Sequence, residues 1–173
     1  DPYILIAVGS IEGQDVATRS PQAAANLIDI NFRNLVVLLT PIVNALESRE
    51  NGCLIIITSV AGDRGRQSNY VYGAAKAGLT TFAQGLRNRL SPAGVHVLTV
   101  IPGYVDTRML RGALGQKYST TPRILIGNVE TVARRIHRAA VTRKNVIYVD
   151  PIWRMIMWII CAIPELLFKR LQF

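Results

Sequence analysis

The sequence contains very little cysteine. Its two cysteines, Cys53 and Cys161, each lie in an apolar run, with no CxxC spacing and no pair of histidines nearby. This pattern predicts neither a disulfide framework nor a metal site, and it favours a reducing compartment. A basic leader is also missing before the first apolar run, so we expect no signal peptide and a cytoplasmic protein.

Charged residues are scarce as well, at 18% of the sequence, whereas about 25% is typical of soluble domains. The sequence has no long tract of Ser, Gln, Gly or Pro and no internal repeat, which argues against disorder and repeat architectures. With 173 residues, half of them hydrophobic, the chain is long enough for one domain with a core. We assign residues 1–150 to its main body and residues 151–173 to a C-terminal tail of the same domain.

Acidic residues are few, and the formal net charge is +9. Most of the excess lies between positions 108 and 144, where Glu130 is the only acid. The basic residues of this stretch are Arg108, Arg111, Lys117, Arg123, Arg134, Arg135, Arg138, Arg143 and Lys144. They fit an anionic membrane, a phosphorylated substrate or cofactor, or simply a solvated helix face. Nucleic acid is disfavoured because no aromatic residues are interleaved with the cations.

Short apolar runs alternate with helical patterns along the chain. Strands are predicted at residues 3–8, 53–58, 95–101 and 145–149, and helices at 21–46, 69–90 and 129–141. Ser20 and Asn128 are the expected N-caps, and Pro41 is expected to kink or break the first helix. The order of elements predicts an α/β fold with a doubly wound parallel sheet of about four strands.

Tyr72 and Lys76 are four residues apart on a predicted helix, so their side chains leave the same face. A nearby ammonium favours the phenolate and lowers the pKa of a tyrosine, which would let Tyr72 exchange a proton with a substrate oxygen. Tyr70 has no lysine four residues later, so we reject it as the acid. Such a pair is common by chance, and its meaning depends on further residues.

Those further residues occur in order along the chain. Asn31 lies in the preceding helix, Ser59 ends a strand, and Pro102-Gly103-Tyr104-Val105-Asp106-Thr107 follows the next strand. With this set the chain resembles the short-chain dehydrogenase/reductase family over nearly its whole length. The resemblance implies a Rossmann-type fold, NAD or NADP as cofactor, and hydride transfer between the nicotinamide and a carbonyl or hydroxyl.

The resemblance also implies a role for each residue. Tyr72 would be the catalytic acid/base, Ser59 would hold the substrate oxygen, Lys76 would bind the nicotinamide ribose, and Asn31 would support a water-linked proton relay. The cofactor contacts implied besides Tyr72 and Lys76 are Ala7, Gly9, Pro102, Gly103, Val105 and Thr107. The match of Ala7-Val8-Gly9 to the family's Asn-Asn-Ala-Gly turn is loose.

Two parts of the family pattern are absent from this sequence: the Gly-rich dinucleotide loop and the residue that selects NAD or NADP. The chain begins near the family's fourth strand, so we expect that further residues precede it or that it is a fragment. A sheet that starts there should expose a long edge of buried type.

The tail combines apolar anchors, including Trp153 and Trp158, with the cations Arg154, Lys169 and Arg170. Its apolar run is too short to span a bilayer but could lie on one. The tail resembles that of bacterial reductases similar to the decaprenylphosphoryl keto-pentose reductase. This implies a keto sugar on a polyprenyl phosphate as substrate and an active site at the inner face of the membrane. A lid or a dimer contact is the alternative for the tail.

Two other functions remain open. One is a reductase of a soluble apolar ketone, with the tail as a substrate lid. The other is a non-catalytic, membrane-peripheral binding protein that kept the fold and lost the cofactor, although the complete catalytic set argues against it. We also expect a homo-oligomer.

Overall fold

Four parallel strands form the central sheet of the computed structural model, which describes residues 2–11 and 14–171. The strands of both sheets in the described residues are β1 (Tyr3–Ile6), β2 (Cys53–Ile57), β3 (His96–Ile101), β4 (Tyr104–Val105), β5 (Ile126–Gly127) and β6 (Val146–Tyr148). The main sheet has the order β1-β2-β3-β6, and β4 and β5 form a separate parallel pair. The predicted α/β fold with a parallel sheet of about four strands is therefore confirmed.

Helices cover both faces of this sheet. They are α1 (Gln14–Ala17), α2 (Pro21–Ile28), α3 (Asn34–Arg49), α4 (Tyr70–Leu90), α5 (Arg108–Leu114), α6 (Lys117–Thr120), α7 (Val129–Val141), α8 (Pro151–Ala162) and α9 (Glu165–Phe168). Leu54 and Ile56 of β2 pack with α3 and α4, whereas Ile55 packs with α7 on the opposite face. Alternate residues of one strand thus enter two cores, which explains why the strand sequences are continuously apolar.

The first strand differs from its prediction at its end. We expected residues 3–8, but β1 ends at Ile6, and the chain then turns away from the sheet. β1 lies at an edge of the sheet, as the sequence predicts, and its Tyr3 and Leu5 side chains are exposed. The two residues lost from the strand, Ala7 and Val8, belong to the loop that reaches the functional site described below.

Of the kink or break expected at Pro41, the break does not occur. Helix α3 continues through Pro41 to Arg49, and the irregular part lies earlier, in a π-helical turn over Asp29–Arg33 between α2 and α3. Pro41 and Val37, whose carbonyl loses its helical partner, are both on the exposed side of α3. Water can satisfy that carbonyl, so the proline is tolerated there.

Among the described residues, the continuous helical segment Pro21–Arg49 is the one stretch whose length and mean hydropathy, 1.3, would suffice to cross a membrane. Core helices of globular proteins pass the same test. Leu35, Leu39 and Val43 of this segment are buried in the core beside the sheet, which is the arrangement of a core helix.

Two glycines bring α4 close to the loop that follows β2. A Cβ on Gly73 would lie 2.7 Å from the carbonyl oxygen of Ala61, and a Cβ on Gly62 would lie 2.7 Å from the backbone nitrogen of Ala77. Both distances are below van der Waals contact, so neither position accepts a larger residue without movement. The 3₁₀ turn Val60–Gly62 therefore rests directly on the helix backbone.

We predict opposite effects for two glycine-to-alanine substitutions in α4. Gly73→Ala should destabilise the protein, because its new methyl group meets the Ala61 carbonyl. Gly85→Ala should stabilise it by about 0.5–1 kcal/mol, because alanine favours the helix and nothing lies within 4 Å of that position. Denaturant unfolding of both variants measures the difference, and a stabilising Gly73→Ala would contradict the close packing.

Candidate active site

Two hydroxyl groups meet at the carboxyl end of β2. Ser59 follows the strand and caps the 3₁₀ turn, where its Oγ accepts a hydrogen bond from the Ala61 nitrogen at 3.1 Å. Tyr72 lies in the first turn of α4, and its phenol hydrogen-bonds with Ser59. Both side chains are buried. A substrate oxygen placed here would be within reach of both groups.

Lys76 lies one helical turn after Tyr72 and is almost completely buried, with 3% of its surface exposed. Its Nζ is 5.8 Å from the centroid of the Tyr72 ring. The same ammonium donates long hydrogen bonds to the carbonyl oxygens of Val8, at 3.3 Å, and Ile57, at 3.5 Å. Lys76 therefore connects α4 to the chain at the ends of two neighbouring strands, β1 and β2.

Burial dominates the titration of both groups. It lowers the pKa of Lys76 to about 8, because the buried charged form loses its hydration. Burial also raises the pKa of Tyr72 above its usual value, and the hydrogen bond with Ser59 opposes this shift. Removal of the phenol from water therefore outweighs the contact with Ser59 in this structure, and the expectation that Lys76 lowers the pKa of Tyr72 stays a prediction.

Asn31 lies in the π-helical turn and is fully buried. Its Nδ2 donates to the carbonyl oxygens of Ser10, at 2.7 Å, and Leu27, at 2.8 Å, and its Oδ1 accepts from the Ser10 nitrogen at 3.1 Å. Asn31 thus holds the loop after β1 against the helix. π-helical turns often occur at functional sites. A role in a proton relay stays a prediction.

Gly9 lies between the side chains of Asn31 and Lys76. A Cβ at Gly9 would be 2.9 Å from Oδ1 of Asn31 and 3.0 Å from Nζ of Lys76. The loop can approach both polar groups because this residue has no side chain. Ala7, which the sequence also assigns to cofactor binding, is exposed at the start of the same loop.

The segment from Pro102 to Thr107 runs beside the Ser59 turn. The carbonyl oxygen of Pro102 accepts a hydrogen bond from the Val60 nitrogen at 3.1 Å. Val105 pairs with β5, and Thr107 caps α5 by accepting from the Leu110 nitrogen at 3.3 Å. Since the Thr107 oxygen is an acceptor in this cap, its own O–H remains able to donate to a ligand.

Gly103, in the same segment, lies directly beneath the indole of Trp153, and a side chain at this position would overlap the ring. The sequence assigns Gly103 to cofactor binding. The structure instead gives it a packing contact with the C-terminal tail, and a contact with the cofactor stays a prediction.

This arrangement agrees with a comparison to protein families. The model of the short chain dehydrogenase family matches residues 3–117, about two thirds of the chain. The chain belongs to the short chain dehydrogenase family. All four candidate catalytic residues, Asn31, Ser59, Tyr72 and Lys76, lie within the matched region.

Several curated oxidoreductases are similar to this chain. An uncharacterized oxidoreductase of Mycobacterium tuberculosis is 34% identical over 167 residues, which cover 96% of this chain and 64% of that protein. An uncharacterized oxidoreductase of Streptomyces coelicolor is 35% identical over 128 residues, or 73% of this chain and 47% of that protein. The chain therefore spans less than two thirds of the length of either relative.

Solved structures of short chain dehydrogenases share the fold. One from Burkholderia cenocepacia, in complex with NADP, has a TM-score of 0.79 at 22% identity and covers 98% of this chain and 68% of that one. One from Mycobacterium paratuberculosis, bound to NAD, has a TM-score of 0.71 at 23% identity, with coverages of 86% and 62%. At these identities the likeness establishes the Rossmann-type fold.

Sequence reasoning missed several contacts around the site. It did not identify Gly62 and Gly73, which allow the Ser59 turn to rest on α4, or Ser10, which Asn31 holds. The small residues between Tyr72 and Lys76 were a usable indication, because they suit a helix face that another backbone approaches. Tyr70, rejected as the acid, is exposed at the start of α4.

Some of the basic residues between positions 108 and 144 form contacts within the protein. Arg111 pairs with Asp106, and Arg135 pairs with Asp150. Arg143 donates to the Gly94 carbonyl oxygen at 2.7 Å. At least three of the nine basic side chains of this stretch therefore have partners within the fold.

We predict that Lys76 makes stability depend on pH. Its pKa is lower in the folded protein, about 8, than the ordinary 10.5, so the unfolded chain binds the proton more tightly. Burial of the charged form then costs about 3 kcal/mol below pH 8, and stability should rise as the pH increases from about 8 to about 10.5.

Lys76→Met should remove this dependence. Urea unfolding across that pH range should give a higher free energy of unfolding than wild type at pH 7 and a flatter pH profile. Lys117→Met is the control, because Lys117 is exposed and its loss should leave the profile unchanged. A Lys76→Met protein that is less stable than wild type at pH 7 would contradict this account.

Proposed function

We propose that this chain carries the catalytic residues of an NAD(P)-dependent oxidoreductase that reduces a carbonyl group. The main support is the hydrogen bond between the Ser59 and Tyr72 side chains. The Lys76 ammonium lies on the same face of α4, 5.8 Å from the centroid of the Tyr72 ring. This geometry offers two donors to one substrate oxygen. Because the curated relatives are longer than this chain, the activity is proposed for the whole protein.

In the proposed reaction, Ser59 and Tyr72 both donate hydrogen bonds to the carbonyl oxygen. As negative charge develops on that oxygen, Tyr72 transfers its proton to it. The raised pKa of Tyr72 suits this role, because the phenol stays protonated and able to donate at neutral pH. The nicotinamide cofactor, when bound, supplies the hydride.

The residues near Lys76 fit part of a nicotinamide cofactor. The Nζ atom has only long contacts to the Val8 and Ile57 carbonyls, so its protons can turn toward ribose hydroxyls. Gly9 leaves room beside it, and Thr107 keeps a free O–H. Solved relatives of the same fold are in complex with NADP in one case and NAD in another, so the proposal covers both cofactors.

Tyr72→Phe should lower carbonyl reduction by about 10²-fold or more, because the proton donor is lost while the ring remains. Nicotinamide binding, followed by fluorescence, should stay near wild type. The measurement is NADPH or NADH oxidation by the full-length protein with a panel of ketones.

Tyr70→Phe is the matched control, since it removes an exposed phenol from the same helix turn and should leave the rate unchanged. Full activity of Tyr72→Phe would contradict the proposal. If Tyr70→Phe then lost activity, the acid would have to be reassigned to Tyr70.

The substrate class that we propose is a carbonyl compound with a lipid part, such as a keto sugar on a polyprenyl phosphate. Support comes from the tail, where Met155, Trp158 and Leu166 are exposed, Trp158 by 75%. Arg154 lies on the same helix as Trp158, and Lys169 and Arg170 follow α9. Exposed apolar groups next to cations suit an anionic lipid surface.

One part of the earlier expectation for this surface is wrong. Trp153 does not face outward but is only 4% exposed, and its Nε1 donates to the Leu125 carbonyl oxygen at 3.0 Å. Its ring is used to pack α8 against the Gly103 segment. The proposed membrane face therefore contains Trp158 and not Trp153.

We predict that the protein binds vesicles of phosphatidylglycerol at low salt, and that added salt weakens this binding by screening the cations. Trp158→Ala should weaken it further, whereas Val141→Ala, which trims an exposed apolar residue at the end of α7, should not. Co-sedimentation measures both effects. Failure to bind at low salt would contradict the membrane proposal and favour a soluble apolar ketone as substrate.

The remaining parts of the proposal concern location and assembly. Contact with anionic lipid by an enzyme that uses a nicotinamide cofactor implies the cytoplasmic face of the membrane. The outer side of the long helix exposes Ile30, Val37 and Leu38. A second copy of this chain would remove these apolar side chains from water, which supports the expected homo-oligomer.

A further inference from the structure

Arg64, in the loop between β2 and α4, makes several contacts with the C-terminal segment, residues 151–171. Its Nη1 donates to three backbone carbonyl oxygens near the end of α8, those of Ile160 (2.6 Å), Cys161 (3.2 Å) and Ile163 (2.7 Å). Its Nη2 forms an ion pair with Glu165 at 3.0 Å, and its guanidinium carbon lies 3.7 Å from the ring centroid of Phe168.

These contacts suit an arginine in particular. The last carbonyl groups of a helix lack partners within the helix and carry its negative dipole end. A planar guanidinium can donate to several of them while it stacks on an aromatic ring, whereas an ammonium acts as a single point charge. Only 15% of the Arg64 side chain is exposed, and its bonds to the Ile160 and Ile163 carbonyls are partly buried, whereas the ion pair with Glu165 lies at the surface.

The neighbouring residue, Asp63, forms a second connection. Its Oδ2 accepts a hydrogen bond from the Tyr148 hydroxyl, at the end of β6, at 3.0 Å. Its backbone oxygen accepts from the Cys161 thiol at 3.6 Å. Two consecutive residues are therefore joined to the last strand of the sheet and to α8.

The loop that contains Asp63 and Arg64 connects the two candidate catalytic hydroxyls. It begins at Ser59, whose 3₁₀ turn Val60–Gly62 rests on α4, and it ends where α4 begins, just before Tyr72. Helix α8 also contacts the other loop of the site, because its Trp153 packs on Gly103. Helix α8 thus contacts both the loop that follows Ser59 and the segment that follows β3.

A cavity of about 520 Å³ lies between this loop and α8. Its lining residues include Asp63, Tyr148, Met155, Met157, Trp158 and Cys161. The walls are mostly apolar, and they belong to the elements that Arg64 and Asp63 hold together. Ser59 and Tyr72 are not among its lining residues, and the cavity borders the loop between them at Asp63.

We infer that Arg64 is a positioning residue that fixes the C-terminal segment against the Ser59–Tyr72 loop and so determines which carbonyl substrates fit. This inference rests on the proposed function of Ser59 and Tyr72. It assigns to Arg64 no contact with the reacting atoms. Its effect should grow with the size of the apolar groups on the substrate, because larger groups reach further from the two hydroxyls along the loop that joins them.

The test compares a small ketone, butanone, with a bulky one, benzophenone, as substrates of the full-length protein with NADPH. Arg64→Ala should raise KM for benzophenone by about tenfold or more. Both kcat for butanone and KM for NADPH should stay near wild type. Arg64→Lys should reverse part of the rise in KM for benzophenone, because a lysine can still pair with Glu165 but cannot donate to the three backbone carbonyl oxygens as the guanidinium does.

Two further variants keep the test informative if Arg64→Ala folds poorly. Glu165→Gln removes only the ion pair, and Tyr148→Phe removes only the Asp63 bond, so each should raise KM for benzophenone by a smaller factor. Arg33→Ala is the control, since Arg33 pairs within its own helix and is largely exposed.

An equal loss of activity toward both ketones, in proportion to lost stability, would overturn the inference and leave Arg64 a purely structural residue. The inference would also be overturned if Arg64→Ala, Glu165→Gln and Tyr148→Phe all left KM for benzophenone unchanged while Tyr72→Phe was inactive. Activity of Tyr72→Phe would instead overturn the proposed function itself, which separates the two failures.

Discussion

The arrangement of the site depends on one buried ammonium group. Lys76 has left water almost completely, and such a charge is costly unless polar atoms surround it. The carbonyl groups of Val8 and Ile57 offset this cost only in part, because their contacts are long, and each belongs to the chain at the end of a different strand. Lys76 thereby connects helix α4 to the ends of both β1 and β2.

Other features of the site follow from that constraint. The chain must leave β1 early so that Val8 can face Lys76, and Gly9 must lack a side chain where it passes Asn31. Asn31 then fixes the following residue, Ser10, by hydrogen bonds to both its N–H and its carbonyl group. A cofactor that provides hydroxyl groups for Lys76 would satisfy the ammonium better than two long contacts do.

The sequence was most informative where the governing contacts are local. Continuous apolar runs are enough to predict the strands, and four-residue spacing is enough to place Tyr72 and Lys76 on one face. The π-helical turn around Asn31 escaped prediction because no short motif specifies it. The contacts of Arg64 escaped it because their partners lie about a hundred residues later, and the pKa of Tyr72 escaped it because burial is a property of the whole fold.

The central claim is that Ser59, Tyr72 and Lys76 form one site for a carbonyl and a nicotinamide ribose. A crystal structure of the full-length protein with NADPH and an unreactive ketone analogue tests it most directly. We predict that the ketone oxygen lies within about 3.2 Å of both the Ser59 Oγ and the Tyr72 Oη, with the Lys76 Nζ turned from the Val8 carbonyl to the ribose hydroxyls. A ketone oxygen bound away from both hydroxyls, or a ribose that does not contact Lys76, would contradict the claim.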